Sequence, residues 1–239
     1  GCVRLVYNRT LDVRSTAWAT ESKSISYLQS SALLTGWKKQ DDLAFLNEVS
    51  SVPLQQTLRN LQTAFLNFFN KRAQYPRFKK KRNGGSAEFT RSAFKFRDGQ
   101  LFLAKCKEPL PIRWSRQLPV GAKPSTVTVS LSPAGRWHVS LLVDDHTVKP
   151  LPKAESCVGV DLGLESLLIT TEGEKITNPR HFNKQRKRLA KAQKRLAKKQ
   201  KGSANRQKAR VRVARIHSTI ADTRRDHLHK LTTRLVKEN

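Results

Sequence analysis

The sequence contains no methionine and only three cysteines, Cys2, Cys106 and Cys157, set far apart and without a C-x-x-C pair. Zinc ligation ordinarily draws on two closely spaced pairs, and a secreted disulfide framework needs an even count. The three are therefore expected to be small, reduced, mostly buried side chains. The missing methionine puts the initiator outside the chain, as in a fragment or a processed product. Apolar runs are short: nothing approaches the ~18 residues of a membrane span, and the N-terminus lacks the charged, apolar and small-residue order of a signal peptide. A soluble, cytoplasmic protein with no membrane partner is expected.

Acids are scarce as well. Against 47 lysines and arginines stand 18 aspartates and glutamates, a net charge of +29 over 239 residues and an isoelectric point near 10.8. Such self-repulsion disfavours the compact state unless a polyanion neutralises it, and nucleic acid suits best because phosphate contacts release counterions. A hydrophobic fraction of 37% supplies real cores but is low for a single compact one, so one to three domains are expected.

Residues 1–82 carry helical spacing. Val3, Val6, Tyr7 and Leu11 open it, and Leu43, Leu46 and Val49 repeat it briefly. After Pro53 the residues Leu54, Leu58, Leu61, Phe65, Phe68 and Phe69 make one apolar stripe, with Ser50 or Ser51 as the cap and Gln55, Arg59, Asn60 and Gln62 on the other face. A basic loop from Tyr75 to Arg82, with Lys79, Lys80 and Lys81 as candidate DNA contacts, closes this block.

Residues 86–148 change period. Ala93–Phe96 and Gln100–Leu103 flank Asp98-Gly99, a tight hairpin signal, and Ser125–Leu131 and Trp137–Val143 alternate around Ser132–Gly135. Four or five short strands predict a small β-barrel or curled sheet. Lys149-Pro150-Leu151-Pro152 has the composition of a linker. Beyond it, strands at 157–162, 166–170 and 175–177 predict an antiparallel meander. A helical hairpin over 181–239 follows, with Leu189, Ala192 and Leu196 on one arm, Gly202-Ser203 at the bend, and Ala209, Val213, Ile216, Ile220, His227, Leu231 and Leu235 on the other. The fold class is α+β and multidomain.

Charge concentrates at the end. Residues 180–239 hold 21 lysines and arginines and three acids, so +18 of the +29. A charge run is usually a solvated face; with so few acids for i,i+4 pairing these side chains would mainly repel one another, which favours contact with a nucleic-acid backbone. The candidate contacts are Arg186, Lys187, Arg188, Lys194, Arg195, Lys198, Lys199, Arg206 and Arg210.

Asp161 is the candidate for chemistry. It interrupts the apolar strand Val158-Gly159-Val160-Asp161, where a buried carboxylate needs a partner. An aspartate on the first strand of an RNase H-like sheet helps to hold two divalent metals, although several carboxylates must converge for that. Two other readings stay open: a structural aspartate capping the Gly163 turn, or the phosphate-loop start of an actin-like ATPase. The latter ordinarily continues with small hydroxyl residues, where this chain has Leu164-Glu165.

Ordered blocks along nearly the whole chain resemble the TnpB (OrfB) transposase-associated family. They are Val3–Asn8; Leu54–Leu61 running into Ala64-Phe65 and Asn67–Phe69; Tyr75–Lys79; Gly159–Gly163; Lys201–Ala204; Ala214–His217; and Asp226–Thr233. The resemblance implies a helical recognition domain over 1–85, a wedge β-barrel over 86–150, and the start of an RNase H-like (RuvC-like) nuclease domain over 151–239. It implies an RNA-guided DNA endonuclease with guide RNA and double-stranded target DNA as partners, Mg²⁺ as cofactor, Asp161 as the first catalytic and metal-binding acid, and Tyr27, Gln55 and Thr90 reading the target-adjacent motif. Family members start with a further strand and carry a second acid (a glutamate), a third acid and a four-cysteine zinc finger further on; these are expected outside the chain. A truncated, catalytically inactive regulator that still binds RNA or DNA, and a basic RNA-binding scaffold, are the competing readings.

Overall fold

The apolar stripe after Pro53 becomes helix α3 (Ser51–Phe69). Ser50 caps it, its hydroxyl accepting from the Val52 amide, and Leu54, Leu58, Leu61 and Phe65 are buried. Phe68 is half-buried, whereas Phe69, one residue off the period, is exposed, so the stripe ends a residue earlier than the sequence spacing suggests. The computed structural model describes residues 1–150 and 157–238. These form two units, Gly1–Ser132 with Arg136–Thr147, and Pro133–Gly135 with Val148–Asn239. Leu151 and Pro152 of the linker lie outside the described residues.

In the first unit α3 packs against α1 (Cys2–Glu21) and α2 (Tyr27–Trp37). Val6 of α1, Leu34 and Trp37 of α2, and Leu54 and Leu58 of α3 form one core cluster; Tyr7, Leu11, Leu61 and Phe65 form another. Each fully buried leucine contributes about 1.5–3 kcal/mol of transfer free energy. Ser26 and Gln29 start α2 with a reciprocal capping box. Leu43 and Leu46, three apart, sit on a 3₁₀ helix over Asp41–Asn47, whose three-residue turn stacks both on the core.

The strands of this unit make two antiparallel pieces. One is the sheet β1 (Gly85–Thr90), β4 (Thr126–Leu131) and β5 (Trp137–Leu142), in the order β1-β4-β5. The other is the hairpin β2 (Phe94–Arg97) and β3 (Gln100–Leu103). Asp98 and Gly99 both take positive φ, 51° and 71°, as a two-residue hairpin turn requires. Among the described residues the strands do not close into a hydrogen-bonded barrel. They share a core instead, with Phe89, Leu101, Leu103 and Val127 buried and Val52 of α3 packed against them.

In the second unit β6 (Val160–Asp161), β7 (Ser166–Thr170) and β8 (Lys175–Thr177) form the expected meander. Gly159 lies close beside it: a Cβ there would lie 2.6 Å from Thr171 Cγ2, so the threonine side chain would have to turn away. The hairpin is α4 (His181–Ala197) and α5 (Ala204–Glu238), closed on Leu189, Ala192, Ile216 and Ile220. Gly202 turns at φ 87°, and the Ser203 hydroxyl accepts from the Arg206 amide to start α5.

The cysteines are not mostly buried. Cys106 and Cys157 are exposed and Cys2 is intermediate; all three are free thiols. Cys106 follows the end of β3 and Cys157 precedes β6, in connecting stretches with no core to enter. No helix among the described residues is long and apolar enough to cross a membrane.

Candidate nucleic-acid interface

The 3.6-residue turn brings Lys187, Lys191 and Lys194 of α4 onto one face with Lys198 at its C-cap, flanked by Arg195. With Ala190 they border a shallow open depression. All five cations are exposed, and none makes a hydrogen bond or ion pair among the described residues. Leu189 and Ala192 occupy the opposite, buried face, so core packing fixes which way the cations point. The outcome is a row of positive charge with no acidic partner among the described residues, chemically suited to a polyanion. Arg186, Arg188 and Lys199 are exposed beside it.

One of the nominated residues already has partners within the chain. Arg206 is half-buried, and its Nη1 donates to the carbonyls of Leu196 (3.1 Å) and Lys199 (2.7 Å), satisfying acceptors left open where α4 ends. Arg210 is also half-buried. Arg234 supplies a contact the sequence did not suggest: its Nη2 donates to both carboxylate oxygens of Glu174, at 3.0 and 2.9 Å, tying the end of α5 to the β7–β8 turn.

In the first unit the basic loop proves to be a strap. The Asn8 side chain donates to the Lys79 carbonyl (2.9 Å) and accepts from the Lys79 amide (2.8 Å), and Lys79 Nζ sits 4.1 Å from the Tyr7 ring centroid. Partial burial of that ammonium pulls the Lys79 pKa below the usual lysine value. Tyr75 packs edge-on against Phe65 and Phe68 and shares a 2.8 Å hydrogen bond with Ser15. Lys79 thus ties the loop to α1 through its backbone and its ring contact, although as a residue it stays exposed, as do Lys80 and Lys81.

Tyr27, Gln55 and Thr90 fall on three packed elements, α2, α3 and β1. The Tyr27 hydroxyl accepts from Arg59 Nε (3.3 Å), and that guanidinium lies 5.6 Å from the Tyr27 ring centroid. Gln55, exposed, is one turn before Arg59 on the same face. Beside them Gln56 and Asn60 donate to the two oxygens of Glu88 on β1, at 3.0 and 3.4 Å. Thr90, two residues along β1, is half-buried and within 3.5 Å of the Ser92 hydroxyl. Arg59 and Glu88, the charges that order this polar face, were not nominated from sequence; the i,i+4 relation of Arg59 to Gln55 was the available signal.

Residues 138–239 match a family model described as "Probable transposase" (OrfB, IS605). All of the chain aligns, 62% identical over 240 residues, with a protein of Streptomyces pristinaespiralis named "Putative RNA-guided DNA endonuclease", covering 60% of that protein. It is 35% identical over 240 residues, its full length, to InsQ of Escherichia coli K12, of the same description, covering 59% of it. A shorter match, 32% over 90 residues, is to the virulence protein VsdF of Salmonella dublin, spanning 34% of this chain and 76% of that protein. The chain belongs to the TnpB/OrfB transposase-associated family. It spans about 60% of the length of the two relatives that it matches throughout.

Within this OrfB chain Asp161 pairs with Ile169 across β6 and β7, on the edge of the meander and with its side chain exposed. The reading of Asp161 as a buried carboxylate is therefore corrected. β6 is only two residues long, and Val160, Leu162 and Leu164 around it are also exposed. The desolvation argument for a partner does not apply to an exposed acid. The metal implied by the family needs several converging ligands, and among the described residues no three His, Cys, Asp or Glu side chains gather into a metal-binding group. Asp161 alone does not fit a two-metal centre, and no catalytic step follows from these residues by themselves.

Proposed function

We propose that this chain serves RNA-guided DNA cleavage as a nucleic-acid-binding part of the machinery. The observation that carries the reading is the 62% identity, maintained over the whole chain, to a protein named as an RNA-guided DNA endonuclease. The unneutralised cation row on α4 supports it. In this reading residues 1–85 form a helical recognition domain, 86–150 a wedge domain, and 151–239 the opening of a RuvC-like nuclease domain. Guide RNA and duplex target DNA are the partners. Tyr27, Gln55 and Thr90 read the motif beside the target, glutamine being able to pair two hydrogen bonds with a base edge. Asp161 is the first of the carboxylates that hold Mg²⁺, the others coming from polypeptide outside these 239 residues. Pairing between guide and target carries the sequence information, and the protein supplies backbone contacts and motif reading.

The purified chain is expected to bind RNA and duplex DNA with an affinity that falls steeply with salt, log K decreasing by about 0.9 per phosphate contact per unit of log salt. It is expected to show no Mg²⁺-dependent cleavage with any guide. A flat salt response would remove the backbone reading of α4, and robust cutting by this chain would show that the active site has been misplaced.

A further inference from the structure

The first unit contains a groove that the reading above leaves unused. It measures about 510 Å³ and is lined by Phe94 and Phe96, on the core-facing side of β2, by Arg91 before that strand and by the segment 121–124 with Lys123.

Three features make this more than a surface dent. Phe96 is held from one side by Trp114, the two rings meeting edge to face at 5.8 Å and 80°, so it is fixed before anything binds. Phe94 and Phe96 are only half-buried in the β-core they help to close. Arg91 and Lys123 are exposed and make no hydrogen bond or ion pair among the described residues. The charge around them is one-sided as well: residues 91–124 hold eight lysines and arginines and two acids. One of those acids, Asp98, is paired with Arg97 at 3.5 Å, and neither lines the groove. The rim is open at Gly121, where a Cβ would meet nothing within 4 Å.

Two partly exposed aromatic rings and two cations lining one groove suit a ligand with a flat π-face and negative charges. A base-paired duplex cannot use it, because its bases are stacked on each other and only their edges are presented in the grooves. An unpaired nucleotide can, since every base has a π-face and stacking on an aromatic ring is largely indifferent to sequence. We propose that this groove binds an unpaired nucleotide of a nucleic-acid strand, its base on the Phe96 ring and its flanking phosphates at Arg91 and Lys123. The inference rests on the chain being a nucleic-acid binder, but uses residues outside both the α4 row and the Tyr27–Gln55–Thr90 face. RNA and DNA offer the same π-face and phosphates here, and they differ at the 2′-hydroxyl.

The test compares an eight-nucleotide oligouridine, the matching deoxyoligonucleotide and an eight-base-pair duplex, each labelled and titrated with the full chain at fixed salt. The readout is the ratio of single-strand to duplex affinity, which cancels contributions from the α4 row. Arg91→Gln with Lys123→Gln, and separately Phe96→Leu, are each expected to lower that ratio by about tenfold, the worth of one stacked and clamped base. Phe96→Leu keeps an apolar side chain in the core, and circular dichroism checks that both variants are folded. Ultraviolet cross-linking of bound oligouridine to the unaltered chain is expected to label the peptide that contains Phe94 and Phe96, a measurement that depends on no variant. A fall on RNA alone, on DNA alone or on both supports the groove and names its strand. An unchanged ratio, or a cross-link confined to α4 and α5, overturns it. Absence of any nucleic-acid binding by the unaltered chain would instead overturn the proposed function.

Discussion

Arg14 in α1 and Lys194 in α4 are both cations on amphipathic helices, yet they do opposite work. Arg14 is buried, its guanidinium 4.1 Å from the Phe65 ring centroid and its Nη1 donating to Gln62 Oε1 at 2.9 Å. Burial pulls its pKa below the ordinary arginine value, a cost that the ring and the amide offset. Lys194 is exposed and faces away from the hairpin core among cations of its own kind. The same division separates Lys79 on Tyr7 from Lys80 and Lys81, and Arg206 on the α4 carbonyls from Arg195. Some basic residues in this chain hold the protein to itself, and others stand on the surface with no partner among the described residues. What separates the two is whether an aromatic ring, an amide, an open carbonyl or, as for Arg234 with Glu174, a carboxylate lies within reach.

The largest expected break in that contrast is in binding. Replacing Lys187, Lys191, Lys194 and Lys198 together with glutamine should weaken binding to duplex DNA by about a hundredfold or more at moderate salt. The slope of log K against log salt should flatten by about three to four. Stability should hold or rise, because four mutually repelling charges are removed from one helix face. Anisotropy titrations across a salt series and a thermal melt measure both. Intact affinity would place the backbone contacts elsewhere on the chain.

Next in size is the reverse case. Arg14→Ala removes the stacked guanidinium and leaves the Gln62 amide oxygen without its donor, a loss of about 1–3 kcal/mol in a urea titration. Binding of duplex DNA should change by less than about twofold, since a buried cation offers nothing to a phosphate. A binding defect as large as that of the α4 variant, with stability intact, would dissolve the distinction between these two kinds of cation.

How far this was legible in the sequence follows the same line. Periodicity placed α3, the Asp98-Gly99 hairpin, the β6–β8 meander and the α4–α5 hairpin, because each is specified by neighbours a few residues away. β1 was not separately drawn: Ala87 and Phe89 alternate over only six residues, and its partner β4 begins 36 positions after β1 ends. No local signal carries such a pairing. The open, two-piece arrangement of the strands was hidden for the same reason. The cation row on α4 could be read from residue spacing, whereas the capture of Lys79 by Asn8 and Tyr7 joins positions 71 apart. Both of those segments had been quoted as family blocks, so the resemblance marked the two surfaces without showing that they touch. Asp161 shows the converse: an apolar string such as Val158-Gly159-Val160 reads as buried, yet the strand it forms is two residues long and exposed.

The smallest effect probes a titratable group on the hairpin that lacks a partner of either kind. The His181 ring packs edge to face against His227 at 5.5 Å, and its Nε2 is buried without a hydrogen-bond partner. Burial, with His227, Lys184 and Arg224 nearby, holds its pKa below the ordinary histidine value. In the unfolded chain the same ring titrates near 6.5, so between that pH and the lower folded value the unfolded state binds more protons. Stability that is full above about 6.5 is therefore lost as the pH falls through this window, and none of it depends on the carboxylates that titrate further down. His181→Phe keeps a ring against His227 and removes the proton site. Melting curves from neutral pH downward should show the unaltered chain losing stability ahead of the variant, with the gap opening just below the ordinary histidine range. Parallel curves would mean that the His181 ring reaches water freely, and the hairpin would then hold no charge-sensitive contact at its base.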